Sequence, residues 1–224
     1  MKYEWLLFDA DDTLFDFSKA EANALKWTLE QSLIPFLPEY VKMYAHFNQQ
    51  VWKELERGTI TSQELRVRRF QLFFENAGLD NDPALVSVLY MQNLALGTDL
   101  FEGAIEVVKA LQKRCHLALV TNGLKDVQRP RLERSLLKGC FEKVFISEEI
   151  GIAKPARGFF DAVFAAINQP DPKKVLIIGD SLTSDIRGGM EYGIDTCWYN
   201  PKGDSTNLAI TYQIKSLMEL IDLV

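Results

Sequence analysis

Five short apolar runs, spaced by stretches of helical length, constrain this chain more than any other feature. The first, residues 3–8 (Tyr-Glu-Trp-Leu-Leu-Phe), is aromatic-rich and stops at a cluster of acids. Leu117 to Val120, Val144 to Ile146, Val175 to Ile178 and Thr196 to Tyr199 are similar runs of strand length. Ala104 to Leu111, Phe159 to Ile167 and Ile186 to Tyr192 lie between them with helical spacing. Strands alternating with helices imply βαβ units, hence an α/β chain with a Rossmann-like parallel sheet and helices on both faces. A last amphipathic segment, Ser216 to Leu223, is expected to pack on the sheet.

The stretch from about Ser18 to Leu96 breaks the alternation. Ser18 with Glu21, and Thr61 with Glu64, carry the spacing of a capping box, so helices are expected to start there. Tyr40, Met43, Tyr44, Phe47, Val51 and Leu55 recur at helical spacing; Phe70, Phe73, Phe74 and Ala77 form another stripe, and Ala84, Val88, Met91 and Ala95 a last one. So long a helical segment exceeds an ordinary crossover. The expected division is a helical insertion over 16–97 between the core segments 1–15 and 98–224; the alternative is one large mixed α/β domain.

Composition sets outer bounds. The 224 residues are 47% hydrophobic and 25% charged, near globular averages, which argues against disorder. A net charge of −6 offers no global attraction to nucleic acid or acidic membranes. No uninterrupted apolar stretch is long enough to span a bilayer, and the start Met1-Lys2-Tyr3-Glu4 is not expected to be a secretory leader. Cys115, Cys140 and Cys197 contain no paired spacing, so a reducing, cytoplasmic location is expected.

The polar residues that end the strand runs carry the chemistry. Asp9, Asp11 and Asp12 follow the first run, where open α/β sheets bind ligands, and they repel one another unless a cation sits among them. A solvated acidic turn, with Asp12 or Asp16 capping a helix, is the bland alternative. Thr121-Asn122-Gly123 ends the second run, and its hydroxyl and backbone N–H groups suit a phosphate oxygen, although a plain turn is commoner for that tripeptide. Lys154 precedes Pro155, which biases it toward an extended backbone, and a fixed ammonium offsets charge on a carboxylate and a phosphate. Gly179-Asp180 ends the fourth run, and Asp185 follows five residues later. With Asp9 these acids suit a divalent cation, unless Asp185 only caps the helix before Ile186.

In this order the four motifs resemble those of the haloacid dehalogenase-like hydrolase superfamily, along essentially the whole chain. Phe8-Asp9-Ala10-Asp11-Asp12-Thr13-Leu14-Phe15, Gly58-Thr59-Ile60-Thr61-Ser62, Ile146 through Pro155, and Thr196-Cys197-Trp198-Tyr199-Asn200 look like the bacterial pyrimidine 5′-nucleotidases. The resemblance implies a Mg²⁺-dependent phosphatase with the insertion as a cap. Asp9 would be the nucleophile that forms an aspartyl-phosphate, and Asp11 the general acid and base. Asp9, Asp11 through its carbonyl, Asp180 and Asp185 would hold the metal; Thr121, Asn122 and Lys154 would bind phosphate. Two departures are Glu102-Gly103, where many relatives have Pro-Gly, and Pro130, which interrupts the helix after Thr121.

Rival readings share parts of this set. A haloalkanoate dehalogenase has no need of an acid at position 11, because halide leaves unprotonated. A phosphomutase, or a phosphatase for a sugar phosphate or another small metabolite, remains the alternative. A receiver domain would place its phosphorylated aspartate at a later strand. The expected partner is a small phosphomonoester, with no nucleic acid polymer and no membrane, and the chain is a monomer or homodimer. Arg66, Arg68 and Arg69 are read as a solvated helix face, His46 and His116 as insertion-surface and strand-edge residues. Phe15, Phe17 and Trp52 suit either stacking on a base or core packing.

Overall fold

In the computed structural model, which describes residues 2–224, strands β1 (Trp5–Phe8), β2 (His116–Thr121), β3 (Lys143–Ile146), β4 (Val175–Gly179), β5 (Asp195–Tyr199) and β6 (Tyr212–Ile214) form one parallel sheet. Its order is β3-β2-β1-β4-β5-β6. The helices are α1 (Phe17–Gln31), α2 (Glu39–Glu56), α3 (Ser62–Ala77), α4 (Pro83–Leu94), α5 (Ala104–Leu111), α6 (Lys125–Arg134), α7 (Ser147–Ile150), α8 (Arg157–Ala166), α9 (Arg187–Tyr192) and α10 (Leu220–Leu223). The five expected strands are present; β6 is additional.

Alternation of side chains along each strand divides the core into two layers. Leu6 and Phe8, with Leu117, Leu119, Leu176 and Ile178, face α5 and the C-terminal Leu217 and Leu220. Trp5 and Leu7, with Ala118, Val120, Val175 and Ile177, face Phe159, Phe160, Val163 and Phe164 of α8. The sheet is therefore covered on both faces, as near-continuous apolar strands require. Because Phe8 pairs with Leu119 on one side and Ile178 on the other, the residues that follow β1, β2 and β4 emerge side by side. The chain passes from β1 to β2 and β3 on one side and then crosses to β4 on the other side of β1, which opens a crevice at that edge.

Helices α1 to α4 bury a cluster of their own, including Leu25, Leu29, Tyr44, Phe70, Phe73 and Tyr90. The capping box of Thr61 and Glu64 is formed. Helix α1 differs from expectation: Asp16, not Ser18, caps it, accepting from the Lys19 N–H at 2.9 Å, and Glu21 turns inward. Arg69 is not on a solvated face either; it is 1% exposed. Its Nη1 donates to Asn48 Oδ1 at 3.3 Å, and Asn48 Nδ2 donates to Glu21 Oε1 at 2.6 Å. Arg68 pairs with Glu54. Pro130 does not interrupt α6, which runs from Lys125 to Arg134 through it. Both histidines are exposed as expected, His116 pairing with Glu142 on the sheet side. Among the described residues, no helix is long and apolar enough to cross a membrane.

Two expected outcomes follow from this packing. A methyl group on Gly189 of α9 would lie 2.6 Å from Ile177 Cγ2 and 2.8 Å from Thr196 Cγ2. Alanine in a helix normally gains about 1 kcal/mol over glycine, but overpacking costs about 1–3 kcal/mol. Gly189→Ala should therefore lower stability, by up to about 2 kcal/mol, in urea denaturation; a gain would contradict the packing.

Burial pushes the Glu21 carboxyl up from 4.5 to about 7, against the opposing pull of Asn48 and Arg69 and with a further push from Asp12. Between those values the folded chain keeps a proton that the unfolded chain has released. This group's contribution to stability thus falls as pH rises from about 4.5 to about 7, then levels. Glu21→Gln should flatten that part of the slope, measured as the difference in urea midpoint from wild type at about pH 5 and about pH 8.

Candidate active site

Four of the residues named from sequence converge at the carboxyl edge of the sheet. Asp9 follows β1, its N–H bound to the Ile178 carbonyl at 2.9 Å. Oxygens of Asp9, Asp180 and Asp185 lie within 4.8 Å of one another. Lys154, 1% exposed, extends between them. Its ammonium donates to Asp9 Oδ1 and Asp185 Oδ1, each at 2.6 Å, and to the Val120 carbonyl at 2.7 Å.

The local chain explains this convergence. Asp185 is not a helix cap: Ser181 caps the π-helical turn Leu182–Ile186, and Asp185 lies inside that turn, fully buried. A Cβ on Gly179 would fall 2.3 Å from Asp185 Oδ2, so the residue that ends β4 must be glycine. Thr13 accepts the Asp180 N–H at 3.0 Å and fixes the second acid relative to the first loop. Asn122 grips the Lys154 backbone on both sides, donating from Nδ2 to its carbonyl and accepting its N–H at Oδ1, each at 2.9 Å. The Asn122 side chain thus places the lysine. Thr121 is buried, and its hydroxyl accepts the Gly123 N–H at 3.0 Å, so that N–H is not free for a phosphate as the tripeptide alone suggested.

Asp11 stands apart from the three-carboxylate group. Its Oδ2 accepts from Gln128 Nε2 at 2.6 Å and its Oδ1 accepts from Arg131 Nη1. Sequence reasoning missed Gln128, Arg131 and Thr13. The two α6 residues sit in a run, Lys125-Asp126-Val127-Gln128-Arg129-Pro130-Arg131, that reads as a solvated surface; nothing in it signals burial.

Burial pushes Asp9 well above the usual carboxylate range; Lys154 pulls it back, and Asp185 and Asp180 push it further up. Burial, then Asp185 and Asp12, push Asp180 up to about 7. Burial opposes the charge on Lys154, but Asp185 and Asp9 more than reverse that and hold it above its ordinary value. Ionised together, three carboxylates against one ammonium would leave an excess of two negative charges in this largely buried space. That excess, and an all-oxygen donor set, fit a hard divalent cation.

Two clefts flank the group. One, of about 550 Å³, is lined by Trp52 and Leu55 of α2, Gly58 and Ile60 after it, and by Asn122, Lys154 and Pro155 on the sheet side. The other, of about 300 Å³, reaches Asp12 and Asp180 from the side of Trp198 and Lys202. Phe15 is packed in the sheet core and Phe17 against the insertion's cluster, whereas Trp52 reaches the larger cleft.

A buried carboxylate nucleophile candidate at the switch point of a parallel sheet, with an ammonium and a cation-seeking acid set, defines an α/β hydrolytic enzyme. Residues 3–193 match the haloacid dehalogenase-like hydrolase family, and the chain belongs to that family. It is 37% identical over 225 residues to the pyrimidine 5′-nucleotidase PynA of Streptococcus pneumoniae, covering 99% of this chain and 95% of that protein. It is 33% identical over 226 residues to the pyrimidine 5′-nucleotidase YjjG of Escherichia coli, covering 100% and 99%. The crystal structure of the HAD-hydrolase YfnB of Bacillus subtilis, bound to magnesium, superposes with a TM-score of 0.93 at 39% identity, covering 100% of this chain and 99% of that one.

Removing the ammonium should expose its role in the fold. Lys154→Met leaves Asp9 and Asp185 facing each other uncompensated, and losing one partner of a buried pair costs about 3–5 kcal/mol. In metal-free buffer a loss of this size is expected in urea denaturation; a change below about 1 kcal/mol would contradict the assignment.

Proposed function

We propose that this hydrolase cleaves small phosphomonoesters through an aspartyl-phosphate on Asp9, with pyrimidine nucleoside 5′-monophosphates as its substrates. The observation that carries the reading is the meeting of Asp9 and Asp185 on one buried ammonium at the sheet's carboxyl edge, with an Asp180 oxygen within 4.8 Å of theirs. Such an edge must accept a phosphate that is itself negatively charged.

Asp9, the Asp11 backbone carbonyl, Asp180 and Asp185 would hold Mg²⁺, the last directly or through water. When bound, the ion supplies charge neutralisation between the nucleophile and the phosphate. An Asp9 oxygen attacks phosphorus, the bond to the leaving oxygen breaks, and Asp11 gives that oxygen its proton. Asp11 then takes a proton from the water that attacks the phosphoenzyme, which frees phosphate and restores Asp9. Thr121, the backbone N–H of Asn122 and Lys154 bind the phosphoryl oxygens; Lys154 already has its ammonium at the Asp9 carboxylate. The segment 16–97 acts as a cap over a core of 1–15 and 98–224, and excludes bulk water from the acids.

The larger cleft favours a nucleotide over a sugar phosphate. Its walls carry Trp52, Leu55, Ile60, Leu124, Ile152 and Pro155, which suit the face of a planar ring better than a polyhydroxylated chain. The similarity to PynA and YjjG supports the same choice.

Phosphate release from uridine 5′-monophosphate and from ribose 5-phosphate, assayed side by side with Mg²⁺, tests the reading. Release from the nucleotide at the higher kcat/KM is expected, with loss of turnover on chelation by EDTA and recovery on adding Mg²⁺. Asp9→Asn should lower turnover by at least about 10³-fold while the circular dichroism spectrum is kept. Substantial turnover by that variant removes the nucleophile from Asp9.

A further inference from the structure

We propose that Gln128 and Arg131 are positioning residues for Asp11, holding its carboxyl where it can pass a proton to and from the substrate. This rests on the acid–base role assigned to Asp11 above.

A carboxyl group at the end of a single rotatable stem, here with a side chain 25% exposed, does not stay in one place unless both oxygens are held. Both are. Gln128 and Arg131 lie three residues apart on α6, on one face of the helix, and each takes a different oxygen of Asp11. Both arms donate, so they hold Asp11 as an acceptor.

Each arm is itself immobilised. Arg131 is fully buried; its Nη2 donates to the carbonyl of Leu94, the last residue of α4, at 3.1 Å. Its guanidinium lies 5.6 Å from the Phe15 ring centroid and 6.0 Å from that of Phe17. Gln128 is 2% exposed and reaches Asp11 past Gly123, where a Cβ would fall 2.2 Å from Gln128 Nε2. The glycine of the Thr-Asn-Gly turn is thus the opening through which this side chain passes.

The arrangement is poorly suited to stability alone. Gln128 Oε1 and Arg131 Nε are buried with no hydrogen-bond partner. Buried polar groups left in that state weaken a fold, and apolar residues of similar volume would pack as well or better. What the pair achieves is a fixed place for one carboxyl group.

The leaving group distinguishes positioning from structure. An alkoxide such as the ribose 5′-oxygen needs a proton as it departs, whereas p-nitrophenolate leaves without one. The ratio of kcat/KM for uridine 5′-monophosphate to that for p-nitrophenyl phosphate reports on proton donation up to phosphoenzyme formation, and the fraction of active enzyme cancels from it. Gln128→Leu and Arg131→Met should each lower the nucleotide value by about 30-fold or more and the aryl value by about 3-fold, so that the ratio falls by at least about 10-fold. If ribose 5-phosphate proves the better substrate, it replaces the nucleotide in the same ratio. An unchanged ratio, whether both values fall together or neither falls, overturns the proposal. If Arg131→Met does not fold, Gln128→Leu decides alone. Wild-type protein inactive on every ester would instead overturn the phosphatase reading, and the positioning role with it.

Discussion

The Lys154 ammonium is the contact on which the rest of the site depends. Three strand ends meet on it: Asp9 after β1, the Val120 carbonyl within β2, and Asp185 in the turn that follows β4. A parallel sheet brings its carboxyl ends to one edge but does not by itself make the loops there compatible. Acids from two of those loops repel in a buried space, and the ammonium converts that repulsion into attraction along two short hydrogen bonds. Because the lysine is desolvated, it is held only by those partners and by Asn122, which fixes its backbone on both sides. Asn122 and Lys154 therefore act as one unit that ties the loop after β2 to the loop after β3.

One cation against three acids is an incomplete balance, and the incompleteness is useful. Full neutralisation by protein groups would give a stable but inert cluster, with no reason for a further cation to enter and no reactive oxygen. The residual charge instead keeps Asp9 and Asp180 in tension with their surroundings, visible as the upward push of burial and neighbouring charge on both. A dication bound here would offset the penalty that burial imposes on these charges. Neighbouring residues hold the geometry for that event: Thr13 fixes Asp180, and Gly179 leaves room for Asp185.

Much of this was legible in the sequence because chemistry dictates residue type at strand ends. Asp9 and Asp180 directly follow apolar runs whose length marks strands, and Asp185 and Lys154 lie in the segments after such runs, so the topology brings them to one edge. Helices α2 to α4 were legible for a similar reason, since their apolar residues recur at helical spacing. What escaped was polar burial within helices. Arg69, Gln128 and Arg131 occupy charged stretches that look solvated, and only the tertiary partners Asn48 and Asp11 show that they face inward. Strand β6 (Tyr212–Ile214) is short and only partly apolar, too little for a strand signal, and pairs because β5 offers it an edge. Pro130 lacks the N–H of one helical bond, yet packing on either side of it, Val127 and Leu132 among the buried residues of α6, carries the helix through.

The two fully buried arginines, Arg69 and Arg131, show how the insertion and the sheet edge are related. Each lies over an aromatic ring, Arg69 4.6 Å from the Tyr90 centroid and Arg131 5.6 Å from that of Phe15, and each leaves its Nε without a partner. Neither arrangement is what stability alone would select, since an ion or hydrogen-bonded group taken out of water recovers little more than its desolvation penalty. Their partners supply the explanation. Arg69 acts through Asn48 on Glu21, whose carboxyl burial and the Asp12 charge push up. Arg131 acts directly on Asp11. Asp11, in the loop after β1, is thus met by a buried polar pair from α6, with Leu94 accepting from Arg131 at the end of α4. The loop that carries the acids is therefore held by α6, and its geometry depends on the placement of a helix that contributes no group to the carboxylate cluster.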